Sequence, residues 1–167
     1  MTELNLPERL NAAEVFVDRH LDLGREQKAA ILYGDEQVSY GRLHEHVNRM
    51  GNLLRQLGVR IEERVAILLP DSPEWVYAFY GSIKIGAVAV PMNTMLTSPD
   101  YEYLLNDSRA RVLVVHAGLK PKIDQVRGSL RYLEHVLVAG DSAAGADCLK
   151  TALAAAESAK AHIREIA

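Results

Sequence analysis

The stretch Glu63 to Pro91, ERVAILLPDSPEWVYAFYGSIKIGAVAVP, constrains this chain more than any other. Val65 to Leu69 is a short apolar run, as expected of a strand buried on both faces. Pro70 and Asp71 stop it. Ser72 is placed to cap a helix, and Pro73 suits the first helical position, where its missing N–H costs nothing. Trp75, Phe79 and Ile83 recur every four residues, with Val76 and Tyr80 beside them, so the helix is apolar over most of its girth. Gly86 fits the helix end, and Ala87 to Val90 forms a second apolar strand closed by Pro91. Strand, helix and strand in that order predict a right-handed parallel unit.

The flanking sequence extends this unit in both directions. Asn11 to His20 is a helix candidate, with Val15, Phe16 and Arg19 spaced for one face. Ala29 to Tyr33 and Gln37 to Tyr40 read as two short strands joined by a Gly34-Asp35-Glu36 turn. Ser39 then caps a long helix to about Leu57, whose stripe is Leu43, Val47, Met50, Leu54 and Leu57. After Pro91, Ser98-Pro99-Asp100 repeats the Ser-Pro-acid start of Ser72-Pro73-Glu74, and Tyr101, Leu104 and Leu105 form the buried side of that helix. Val112 to Val115 is a third apolar strand. Leu119, Ile123, Val126 and Leu130 form a helical stripe, and His135 to Ala139 is a last strand. The expected fold class is therefore α/β: a largely parallel sheet with helices on both faces and an N-terminal β-hairpin. Composition divides the chain into residues 1–142, which carry this alternation, and residues 143–167, an alanine-rich helical segment with Leu149, Leu153, Ala156, Ile163 and Ile166 on one face.

Composition excludes several function classes. The formal charge of −3 offers no basic footprint, so no nucleic-acid partner is expected. No apolar run approaches the ~18 residues of a membrane helix, and the start MTELNLPERL lacks the pattern of a signal peptide, so a cytoplasmic setting without membrane contact is expected. Cys148 is the single cysteine and reads as an incidental thiol. There is no G-x-G-x-x-G, no G-x-S-x-G and no G-x-x-x-x-G-K-[ST]; Gly81 and Gly86 have the last motif's glycine spacing, but Ala87-Val88 stand where Lys and Ser/Thr are needed. His44 and His46 are two apart rather than four, so they read as a solvated helix face and not a zinc pair. His116 sits just past a strand end, where ligands approach open α/β sheets, although a lone histidine there is more often structural. No pair of carboxylates stands out as acid and base, and no catalytic or metal-binding residue is assigned.

Four segments in order resemble the adenylate-forming superfamily of acyl-CoA and aryl-CoA ligases. They are Val38-Ser39-Tyr40-Gly41-Arg42-Leu43 with the helix to Gly58-Val59; Arg64-Val65-Ala66-Ile67-Leu68-Leu69-Pro70-Asp71-Ser72-Pro73-Glu74; Ile85-Gly86-Ala87-Val88-Ala89-Val90-Pro91-Met92-Asn93; and Tyr101 to Ser108 with its Asp107-Ser108 ending. Asn93 to Thr97 together with Asp100 to Ser108 looks closest to benzoate-CoA ligases. The resemblance spans about residues 28 to 140 and lacks the superfamily's Ser/Thr/Gly-rich phosphate loop ending in P-K-G and its C-terminal lysine. It implies the incomplete N-terminal part of an adenylate-forming enzyme. The whole protein would join an aromatic carboxylic acid such as benzoate to CoA, with ATP and Mg2+, while this piece alone would be inactive. On the CoA side the resemblance implies cofactor contacts from Asn93, Thr94, Lys120 and Lys122. Against them stands the plainer reading of a solvated lysine pair and a structural turn. A homodimer is compatible with the resemblance. The rival readings are a self-contained flavodoxin-like module for a small ligand and a non-catalytic truncated paralogue.

Overall fold

The computed structural model describes residues 9–140 and 148–156. A π-helical turn, Glu14–Asp18, runs into α1 (Arg19–Asp22). The hairpin β1 (Ala29–Tyr33) and β2 (Glu36–Ser39) leads to α2 (Tyr40–Gln56). Then follow β3 (Arg64–Leu68), α3 (Pro73–Lys84), β4 (Val88–Pro91), α4 (Ser98–Ser108), β5 (Val112–His116), α5 (Lys120–Asp124), a 3-10 turn (Arg127–Ser129), β6 (His135–Ala139) and α6 (Leu149–Ala155). The sheet order is β4-β3-β5-β6, every neighbouring pair parallel, and the antiparallel hairpin stands apart. This is the α/β architecture that the sequence predicts.

Alternation along each strand divides the core in two. Val65 and Ile67 of β3, Val112 and Val114 of β5, and Leu137 and Ala139 of β6 face α2, α3 and α6. Ala66 and Leu68, Leu113 and Val115, and Val138 face α4 and α5. Both faces are covered, which is why these strands are continuous apolar runs rather than alternating ones. Burying one such side chain contributes roughly 1.5–3 kcal/mol, against about 0–1 kcal/mol for an exposed ion pair such as Arg42–Glu36, so the two-sided core holds the sheet.

The predicted punctuation is largely in place. Ser39 Oγ accepts from the Arg42 N–H and Ser72 Oγ from the Trp75 N–H, each over 3.3 Å. Gly58 and Gly86 follow their helices at φ +80° and +78°, a conformation glycine adopts without strain. The start of α4 is displaced by one residue from the repeat read in the sequence. Thr97, not Ser98, is its cap, and the Asp100 carboxylate accepts from both the N–H and the hydroxyl of Thr97. Those two bonds, the hydroxyl's first, hold the Asp100 carboxyl below its usual range.

Three other expectations are corrected. The N-terminal helix does not bury Val15, Phe16 and Arg19: Ala13 and Val17 are buried, and Phe16 is 57% exposed. The long stripe from Leu119 to Leu130 is broken between α5 and the 3-10 turn, although Ile123 and Leu130 still reach the core. His44 and His46 are not on a solvated face; both are partly buried, on different neighbours. Ile163 and Ile166 lie outside the described residues, whereas Leu149, Leu153 and Ala156 are buried together.

Candidate functional site

The connections place the open end of the sheet. The chain leaves β3 for α3 on one face and returns at β4; it leaves β5 for α5 on the other face and returns at β6. The loops after β3 and β5, which are adjacent strands, therefore diverge, and such divergence leaves a crevice beyond the carboxyl ends where α/β proteins take their ligands.

On the α2/α3 side of that end lies a cleft of about 660 Å³. The first two turns of α3 (Pro73, Glu74, Tyr77), the polar face of α2, the end of β6 and α6 line it. Two ion pairs lie in its wall. Arg42 lies 3.5 Å from Glu36, and Arg49 is 2.9 Å from Glu45. The Arg49 guanidinium also donates to the carbonyls of Leu153, Ala154 and Ala156, at 3.1, 3.2 and 2.9 Å. It thus ties the carboxyl end of α6 to α2, where the helix dipole favours a cation. Between the helices the His46 ring stacks on Tyr77, centroids 4.6 Å apart. Burial is the main cause that holds the His46 imidazole below its ordinary value, and burial pushes the Tyr77 hydroxyl up to about 12. Both rings are neutral near pH 7, which suits a packed wall better than an acid–base pair. Among the described residues no group of three His, Cys, Asp or Glu is placed to hold a metal ion.

The sequence-predicted residues lie elsewhere, and none lines this cleft. Asn93 follows β4; its Oδ1 accepts from the Met95 N–H and its carbonyl from the Tyr101 hydroxyl, both over 2.9 Å. Thr94 is partly exposed in the same loop. Lys122 donates to the Leu96 carbonyl over 2.8 Å and sits 5.9 Å above the Tyr101 ring. Asn93 and Lys122 are thus gathered around buried Tyr101, while Lys120 stands apart in an exposed 2.8 Å pair with Asp124. Sequence reasoning missed the roles of Arg49, His46 and Tyr77 because their partners are distant in the chain. The one available signal was Tyr77 standing outside the four-residue series of α3.

The model of the AMP-binding enzyme family matches residues 19–165. The benzoate–CoA ligase of Thauera aromatica is 40% identical over 152 residues, which are 90% of this chain and 28% of that protein. The 4-hydroxybenzoate–CoA/benzoate–CoA ligase of Rhodopseudomonas palustris is 40% identical over 134 residues, 80% of this chain and 25% of that one. Among solved structures, an anthranilate CoA ligase in complex with anthranoyl-AMP superposes with a TM-score of 0.90 at 36% identity, covering 98% of this chain and 31% of its own. The chain therefore spans about a quarter of the length of the curated relatives it matches.

Proposed function

This chain belongs to the AMP-binding enzyme family, and from that membership we propose that it is the N-terminal framework of a longer aryl-CoA ligase of the benzoate type. The whole protein would convert an aromatic carboxylic acid to an acyl-adenylate with ATP and then to the CoA thioester. The observation that carries this reading is the family match through residues 19–165, supported by the four ordered segments read in the sequence.

In this reading the family's phosphate-loop motif is not among these residues. The sequence holds no Ser/Thr/Gly-rich loop ending in P-K-G, and the described residues hold no cluster of metal-ligating side chains. Those groups fall to the rest of the protein, and residues 1–142 contribute sheet and helices, with 143–167 leading onward. The edge formed by the loop after β4 and by α5 is the part that faces CoA. Lys120 supplies the exchangeable cation there, because an exposed pair with Asp124 is weak enough for a phosphate to displace. Asn93, Thr94 and Lys122 complete that edge. A cytoplasmic setting fits this role; no helix among the described residues is long and apolar enough to cross a membrane.

A second reading has one observation in its favour. In chain order the parallel strands lie second, first, third, fourth, the order of flavodoxin-like ligand-binding domains. Against a self-contained module stand Phe16, Leu32 and Val88, which are 57%, 71% and 42% exposed and call for further covering structure.

The test is a pair of proteins. The 167-residue chain alone is expected to show no benzoate-dependent ATP–pyrophosphate exchange. A chimera in which it replaces the matched segment of the Thauera aromatica enzyme is expected to exchange. Robust exchange by the chain alone, or a folded but inactive chimera, overturns the proposal.

A further inference from the structure

His116 is the last residue of β5, the strand at the diverging connections. The pairing Leu68 with Val115 and His116 with Ala139 sets it between the ends of β3 and β6. Its ring orientation is fixed on one side only. The Gly118 N–H donates to Nδ1 over 3.1 Å, so Nδ1 is the acceptor, and the proton of the neutral ring rests on Nε2. Nε2 makes no hydrogen bond among the described residues, and the residue is partly exposed.

The ring has room because its neighbours lack side chains. A Cβ on Gly140 would lie 3.0 Å from Nε2, and a Cβ on Gly118 would lie 3.2 Å from Nδ1. Ala117 and Ala139 complete the notch, held together by the Ala117 N–H to Ala139 carbonyl bond of 2.8 Å. A histidine used only for packing commonly has both nitrogens satisfied or buried. Here one nitrogen is committed to orienting the ring, and the other has no partner among the described residues at the ligand-accepting end of the sheet.

We propose that His116 is a ligand-binding residue, its Nε2–H offered to an anionic oxygen of a ligand at the carboxyl ends of β5 and β6, beside Gly140. Phosphate and carboxylate share that chemistry, so the test separates them. Selectively 15N-histidine-labelled chain is titrated in turn with pyrophosphate, ATP, CoA and benzoate, and the ring nitrogens of His116 are followed by NMR. The expected result is the Nε2–H tautomer in the free protein and a saturable shift of the His116 signals with at least one of the four, which names the source.

His116→Asn keeps an acceptor where Nδ1 lies and removes the far donor. It is expected to retain the Gly118 amide signal and to bind roughly tenfold more weakly. His116→Gln, whose amide reaches the Nε2 position, is expected to recover part of the loss. The Nδ1–H tautomer, four silent titrations, or full affinity in a folded His116→Asn protein would each overturn the proposal. Because the chimera experiment does not read His116, the framework proposal and this one can fail separately.

Discussion

Lys84 and Asp18, 66 residues apart, form a buried ion pair: Nζ donates to Oδ1 over 2.6 Å, with the lysine side chain wholly out of solvent and the aspartate 8% exposed. The pair joins the π-helical turn to the last turn of α3. His44 Nε2 lies 3.6 Å from the same carboxylate oxygen, and Oδ2 accepts no hydrogen bond among the described residues.

Breaking a pair of this kind strands a charge in a poorly solvated place, whereas removing both charges does not. Lys84→Met is therefore expected to cost about 3–5 kcal/mol in urea unfolding, and the double change Asp18→Leu with Lys84→Met to restore most of it. A single-variant cost of less than about 1 kcal/mol would show that the pair is not shielded.

Gly81 marks the closest approach of α3 to α2. A Cβ there would lie 2.5 Å from Met50 Cγ, 2.7 Å from Met50 Cβ and 3.2 Å from the Gly51 nitrogen. A glycine inside a helix ordinarily costs about 1 kcal/mol relative to alanine, so Gly81→Ala would stabilise an isolated helix. In this fold the clash outweighs that gain, and Gly81→Ala is expected to destabilise by about 1–3 kcal/mol. Thermal unfolding checks the sign, and a raised Tm would contradict the packing.

His46 links stability to pH. Its folded-state value lies below 6.5, first through burial and then through Arg42 and Arg49, with Glu45 opposing. The unfolded chain binds the proton near 6.5, so the stabilisation is present above that pH and is lost as pH falls below it, since the unfolded state then holds more protons. His46→Phe keeps the stack on Tyr77 and removes the proton. It is expected to flatten the fall in Tm between about pH 7 and pH 5, where the parent chain declines. Parallel pH profiles in the two proteins would overturn the assignment.

Much of the fold is legible in the sequence because its signals are local. Ser39 and Ser72 cap their helices from three residues away, Gly58 and Gly86 end them, and the apolar runs at Val65, Val112 and His135 can be satisfied only by burial between two layers. The ordered segments likewise carried the family. Which face of α3 is buried was not legible. The helix is apolar all round, so periodicity named Trp75, Phe79 and Ile83, while packing chose Tyr77, Ala78, Gly81 and Ser82.

The sequence by itself determined the succession of strands and helices, since caps, turns and apolar periods act over a few residues, and its ordered segments carried the resemblance to the family. Only the tertiary structure decided the strand order β4-β3-β5-β6, the bond of Lys84 to Asp18 and the tie from Arg49 to the end of α6. Each joins groups far apart in the chain, brought together by the burial of two apolar faces, and no local pattern of residues records which distant partner that burial will supply.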